Sequence, residues 1–226
     1  IPGRAFYDVD SAARYAAGYL RQMQASSTGV TADLYTCMSL CGMEVMQQPK
    51  TGAPRLMNTR NRQAMVVCKA LWADLDVKDG GYPDQQTALA HIDSLVQAGK
   101  IPAPTVKVSS GSGVHLHWVL DRALNQTEWY ALGPAWATYL TNLKVKHDKA
   151  VSSDAVRVLR LPETFNIKDI KNPLPTSIIG AIDPTDIPVS VFEQLLGVNV
   201  AHAVVPLSGQ ALSPIQIAAQ NHQGDH

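Results

Sequence analysis
Thr105-Val106-Lys107-Val108-Ser109-Ser110-Gly111-Ser112-Gly113-Val114-His115-Leu116-His117-Trp118-Val119-Leu120 is the stretch that decides the fold. Two strand-like runs, Thr105 to Val108 and Val114 to Leu120, flank five turn-forming residues, and that spacing predicts a β-hairpin. Upstream, Val66 to Val77 is almost continuously apolar until Asp74 and Asp76. This is the pattern of a buried strand whose last residues emerge into a site; Gly80, Gly81 and Pro83 end it. Helices are predicted from a cap at Asp10 or Ser11 to about Gln24, from a cap at Asp84 through Ala98, from about Thr127 to Leu143, and from Val189 to Leu196. Further strands are expected at Ala32 to Leu40 and Leu174 to Ile182, with a polar connection from Gln47 to Arg62 and a mixed segment from Lys144 to Lys168. Helices and strands mix without the regular alternation of a doubly wound sheet. The predicted fold is therefore α+β, with a largely antiparallel central sheet flanked by helices and an N-terminal α/β unit. Residues 1–200 are expected to form one domain. Residues 201–226, rich in Ser, Gln, Ala and Pro, are expected to be a linker or mobile tail.

Composition narrows the functional classes. The 226 residues are 46% apolar and 17% charged, which excludes disorder and strong polyelectrolytes. A balance of 19 Lys+Arg against 19 Asp+Glu would ordinarily argue against a nucleic-acid partner. The charges are unevenly placed, however. No Lys or Arg follows Lys171, whereas Asp183, Asp186, Glu193 and Asp225 do, so residues 1–171 carry all 19 cations against 15 acids. The body is mildly basic and the tail acidic. Cys37, Cys41 and Cys68 form no CxxC pair, suggest neither a disulfide framework nor a four-ligand zinc site, and read as buried thiols in a reducing cytosol. No apolar run approaches the ~20 residues of a membrane helix and no signal-like order opens the chain, so a soluble cytoplasmic protein with no membrane partner is expected. The start at Ile1 leads us to expect an excised segment of a longer polypeptide.

Three segments carry candidate chemistry. In Ala73-Asp74-Leu75-Asp76-Val77 the strand period of two puts both carboxylates on one face. Side by side they repel, and their charge in a mostly apolar strand costs free energy unless a hard divalent cation with oxygen ligands, Mg²⁺ or Mn²⁺, neutralises it; the alternative is a strand end with two solvated acids. Phosphatases of the haloacid dehalogenase type also use such a pair, but Lys78 stands where they carry Thr or Val. The second segment is the turn Ser110-Gly111-Ser112-Gly113, whose glycines permit a nest of inward N–H groups for phosphate. It leads into His115 and His117 on one strand face, which read as metal ligands, phosphate donors or solvated polar residues. The third runs from Lys146-His147-Asp148 through Ser153-Asp154 to Arg160-Leu161-Pro162-Glu163-Thr164-Phe165-Asn166-Ile167-Lys168. Within it Arg157 and Arg160 interrupt apolar runs, where a buried guanidinium requires a carboxylate or phosphate.

In order and spacing these segments, over about residues 55–170, resemble the archaeo-eukaryotic primase superfamily, in particular the primase-polymerases of plasmids and phages. That family joins a DxD strand, a glycine-rich turn leading to a histidine strand, and a hydrophobic-Asp strand followed by an RLPGTxNxK-like stretch. The resemblance implies an RRM-like core and a DNA primase/polymerase that synthesises short primers on single-stranded DNA by two-metal nucleotidyl transfer from nucleoside triphosphates. It implies that Asp74, Asp76 and Asp148 hold two Mg²⁺ or Mn²⁺ ions. His115 and the Ser110, Gly111, Ser112 and Gly113 turn, with His117, Arg160, Asn166 and Lys168, would bind the nucleotide and its phosphates. Arg55, Arg60, Arg62 and Lys78, close in sequence to the acidic strand, are candidates for tracking the template. A replicative helicase, fused or separate, is an expected partner; no GxxxxGK[ST] motif places one within this chain. Glu163 replaces the family's Gly, His117 its Tyr or Phe, and His147 an apolar residue, which leaves Asp154 as a competitor of Asp148. A non-catalytic replication-initiator or single-strand-binding module of the same fold, and a metal-dependent phosphoesterase using Asp74, Asp76, His115 and His117, are the alternatives.

Overall fold
A computed structural model of the chain describes residues 9–24, 34–47, 54–58 and 60–200. The first half contains α1 (Val9–Gln24), β1 (Tyr35–Cys37), β2 (Leu40–Cys41), β3 (Met43–Gln47), β4 (Pro54–Asn58), β5 (Met65–Leu75) and α2 (Gln85–Gln97). There follow β6 (Val106–Ser109), β7 (Val114–Asn125), α3 (Gln126–Asn142), α4 (Lys149–Ser152), β8 (Val158–Arg160), β9 (Phe165–Asn166), β10 (Leu174–Pro175), β11 (Ser177–Ile178) and α5 (Val189–Leu196). The main sheet has the order β11-β6-β7-β5-β2 with antiparallel neighbours throughout. The fold is thus α+β, as the central hairpin predicts. The N-terminal segment does not stand apart from it, because β2 forms one edge of the main sheet and β1 pairs with β8.

The long pair β5 and β7 forms because both strands are apolar and tryptophans pack on both faces: Trp72 stands opposite His117 and Trp118 opposite Leu71, which puts the two indoles on opposite sides of the sheet. Trp72, Trp118, Trp129 and Trp136 are all fully buried. Trp72 stacks on Trp129 at 5.0 Å between ring centroids, and Trp118 meets Trp136 edge-on at 4.9 Å. Three indoles also find backbone acceptors: Trp72 on Val151, Trp118 on Pro102 and Trp129 on Ala70. Truncating one such side chain to Ala costs about 3–5 kcal/mol. Side-chain caps close the N-termini of α2 and α3. Asp84 accepts from Thr87 N–H at the start of α2, and Asn125 and Glu128 form a reciprocal capping box on α3, each worth about 1 kcal/mol.

Several boundaries differ from expectation. α1 begins at Val9, so Asp10 and Ser11 lie inside its first turn. The strand expected over Ala32 to Leu40 breaks at Met38 and Ser39 into β1 and β2, since the two pieces pair with different strands. The presumed connection from Gln47 to Arg62 contains β4, which pairs in register with β3. The run Leu174 to Ile182 is split into β10 and β11 around Thr176, and β5 ends at Leu75, one residue before Asp76. Of the three thiols, only Cys68 is buried; Cys37 and Cys41 are half-buried. The tail expected over 201–226 lies outside the described residues. Among the described residues, no helix is long and apolar enough to cross a membrane.

Candidate active site
The end of β5 and the start of β7 are tied in register, with Asp74 opposite His115 and Trp72 opposite His117. Directly opposed residues share a face, so these four side chains line up on one side of the sheet. The loop after β5 closes on itself through Tyr82 N–H to Asp76 C=O at 2.8 Å, which presents Asp76 beside Asp74. A cleft of roughly 490 Å³ opens here. It is lined by Asp74, Asp76 and Lys78 from the end of β5 and the loop after it, by Ser110, Ser112, Gly113 and His115 from the turn and the start of β7, and by Tyr35, Arg157, Arg160, Asn166 and Lys168 from β1 and the β8–β9 region.

The glycine turn lies against the acidic strand. A Cβ on Gly113 would come within 2.8 Å of Leu75 C=O and 3.8 Å of Asp74 Oδ1, and Gly111 has φ +95° with Asn166 Cβ 2.9 Å from where its own Cβ would be. Both positions therefore require glycine. Asn166 is buried; its Nδ2 donates to Ser110 C=O at 2.9 Å and its Oδ1 accepts from Lys168 N–H at 3.1 Å. That side chain fastens the 160–168 loop to the turn. Thr164 and Thr176 reinforce the loop through a hydroxyl pair at 3.1 Å, with Leu161 C=O accepting from both. Glu163 holds φ 61°, in the left-handed region that favours glycine, the residue that the resemblance expects at this position.

Electrostatics divide the cleft. Burial, then the neighbouring Asp76 and Asp148 carboxylates, push Asp74 up to about 6 against the pull of Arg157 and Arg160. Burial, with His117 and Arg160 adding to it, pushes His115 down to about 3, and burial pushes His117 down to about 4. Both imidazoles are neutral at physiological pH. His115 Nε2, 3.6 Å from Asp74 Oδ1, is therefore a neighbour and not an ion-pair partner, while its buried Nδ1 has no hydrogen-bond partner among the described residues. Asp76 is already paired with Lys78 Nζ at 2.8 Å. The Arg160 guanidinium lies 5.1 Å from the centroid of the Tyr35 ring.

The other expected residues fall elsewhere. Asp148 caps α4, accepting from Val151 N–H at 3.0 Å, and its own N–H donates to Asp74 C=O at 2.9 Å. Its charge reaches Asp74, but its side chain does not line the cleft. Asp154 accepts from Val156 N–H and its charge acts on Tyr130, so of the two rivals Asp148 is the one beside the acidic pair. Among the described residues, no three His, Cys, Asp or Glu side chains gather into a metal-binding cluster. His147 is absorbed in structure: its ring nitrogens contact Ser152 Oγ at 2.9 Å and Ala137 C=O at 3.1 Å. Arg60 donates to Val156 C=O at 2.9 Å, and Arg62 lies 3.7 Å over the Tyr130 ring; both sit outside the cleft lining. The Arg55 side chain lies outside the described residues.

No protein-family model and no curated protein matches the chain. Among solved structures it superposes on the AEP domain of the cyanophage S-2L primase-polymerase with a TM-score of 0.53 at 13% identity, over 79% of this chain and 76% of that one. The chain has the primase-polymerase fold. Primase RepB′ (14% identity, TM-score 0.40, 92% of this chain and 65% of that one) superposes more loosely. So does the polymerase domain of Mycobacterium tuberculosis ligase D in complex with DNA (14% identity, TM-score 0.38, 70% and 57%). Tyr35 and Arg157 line the cleft although the family motifs do not assign them, and Gln85 hydrogen-bonds the glycine turn without lining the cleft. Arg157 carried a signal, a guanidinium among apolar residues. Tyr35 and Gln85 carried none, since each reaches the site only through tertiary pairing.

Proposed function
We propose that this chain is the catalytic domain of a primase-polymerase, making short primers on single-stranded DNA from nucleoside triphosphates. One juxtaposition supports the reading. An acidic wall with Asp74 and Asp76 and a basic wall with Arg157, Arg160 and Lys168 line a single cleft together with the glycine turn, and the charges of Arg157 and Arg160 reach Asp74. A triphosphate needs cations around it, and two carboxylates tolerate it only with a metal between. The donor set fits Mg²⁺ or Mn²⁺: hard oxygens, an Asp74 carboxyl whose proton affinity is raised first by burial and then by the neighbouring Asp76 and Asp148 carboxylates, and a cation already drawn to Asp76. When bound, such ions activate a primer hydroxyl and steady the departing pyrophosphate.

The chain's own residues do the rest. Asp74 and Asp76 hold the ions, and Asp148 adds negative charge from beneath. The turn N–H groups, the Ser110 and Ser112 hydroxyls and neutral His115 orient the phosphates. Arg157, Arg160 and Lys168 offset their charge. Asn166 keeps turn and loop together, and His117 packs beside His115 at 6.4 Å between ring centroids. Arg55, Arg60, Arg62 and Lys78 are the proposed template contacts, with a replicative helicase, fused or separate, as the proposed partner in the cytoplasm. Incubating the protein with single-stranded template, Mg²⁺ or Mn²⁺ and labelled nucleotides is expected to yield oligonucleotides. No product under any metal or template condition would contradict the proposal.

A second reading, a non-catalytic module that holds single-stranded DNA, is favoured by one observation: Asp148 is engaged as a helix cap and does not converge with the acidic pair. It predicts salt-sensitive DNA binding without metal-dependent triphosphate binding.

A further inference from the structure
Gln85, the first residue of α2, belongs to none of the motifs above. Its Nε2 lies 3.0 Å from Ser109 Oγ, 3.0 Å from Gly111 C=O and 3.2 Å from Gly113 C=O. The two carbonyls can only accept, so the amide must present its NH₂ group to the turn. Two hydrogens serve three acceptors, one of them shared. The helix that supplies the amide is fixed by the Asp84 cap and by the buried Ala88 and Ile92. The turn's carbonyl side is thus taken by a rigid element, with Gly113 C=O accepting from Ser110 N–H as well. What remains for a ligand is the turn's N–H groups other than that of Ser110, together with the serine hydroxyls. Because Gly113 packs against Leu75 C=O, the position of the turn also sets the space beside Asp74.

We infer that Gln85 is a positioning residue that holds the Ser110–Gly113 turn in its phosphate-binding shape and so sets affinity for the nucleoside triphosphate. This rests on the triphosphate reading of the cleft. Gln85→Met keeps side-chain length and removes the donor; Gln85→Glu places a carboxylate against two carbonyls; Gln85→Lys restores a donor. Two measurements apply to each. Hydrogen exchange over residues 109–114 is expected to speed up at least 10-fold in Gln85→Met and Gln85→Glu, with less change in Gln85→Lys. Binding of a fluorescent non-hydrolysable deoxynucleoside triphosphate with Mn²⁺ is expected to weaken about 10-fold in the first two and to recover in the third, with single-stranded DNA affinity unchanged. Unaltered exchange in Gln85→Met and Gln85→Glu overturns the clamp, whatever happens to the nucleotide. Faster exchange with unaltered triphosphate affinity overturns its link to the ligand. If the unmodified chain binds no triphosphate, the functional reading itself fails, and exchange alone still decides whether Gln85 holds the turn.

Discussion
The two walls of the cleft are built differently. The acidic wall ends an 11-residue strand, β5, whose neighbour β7 has 12 residues, and both are backed by buried tryptophans. The basic wall stands on β8 and β9, of three and two residues, held by side-chain hydrogen bonds from Asn166, Thr164 and Thr176. A long strand fixes its side chains by period and register, so Asp74 and His115 sit where the backbone puts them. Short strands cannot do this alone, and the loop that carries Lys168 depends on a local polar network. The difference suggests a division of labour in which the rigid wall supplies chemistry and the stitched wall supplies affinity.

The largest expected effect breaks the rigid wall chemically without loosening it. Asp74→Ala or Asp76→Ala should reduce primer synthesis to background while leaving the thermal melt nearly unchanged; two active variants would remove the acidic wall from the chemistry. On the other wall, Arg157→Ala and Lys168→Ala should each raise the nucleotide KM about 10-fold with a smaller change in kcat, the size of a lost charge-assisted contact. An effect on kcat alone would erase the contrast between walls.

Proton dependence gives a smaller and signed effect. Asp74 is raised to about 6, so below that pH protons compete for the carboxylate and Mn²⁺ affinity should fall. For the metal-free fold the sign is opposite: the penalty of the ionised carboxylate is fully present above about 6 and relieved as pH falls toward the unfolded value. Asp74→Asn should then stabilise the metal-free protein at pH 7 by about 1 kcal/mol, discounted for partial exposure, with the difference vanishing near pH 4 in paired thermal melts. The smallest effect belongs to the stitched wall. Glu163→Gly should stabilise by up to about 1 kcal/mol, since φ 61° suits glycine, offset in part by unfolded-state entropy; destabilisation would show that the Glu163 side chain is needed there.

This contrast also explains what the sequence revealed. Asp74, Asp76, His115 and the glycine turn were legible because strand period and turn chemistry are local. Asn166 and Lys168 were legible as a motif, though the structural task of Asn166 was not. Gln85 looked like an ordinary first residue of a helix, because its partners lie more than twenty residues away and nothing in its own segment announces them. The β3–β4 pair was hidden by polar residues that resemble a loop, and the break between β1 and β2 by an apolar run that resembles one strand. Arg60 and Arg62 read as free cations, yet a carbonyl and a tyrosine ring engage them, contacts that only the assembled fold supplies.

The central claim is that the rigid wall binds metal and the stitched wall binds triphosphate across one cleft. A crystal grown with Mn²⁺ and a nucleoside triphosphate analogue tests it most directly. The expected result is manganese on Asp74 and Asp76, phosphates on the Ser110–Gly113 turn, and Arg157, Arg160 and Lys168 turned toward them. Manganese absent from both carboxylates, or a triphosphate bound away from the turn, would contradict it.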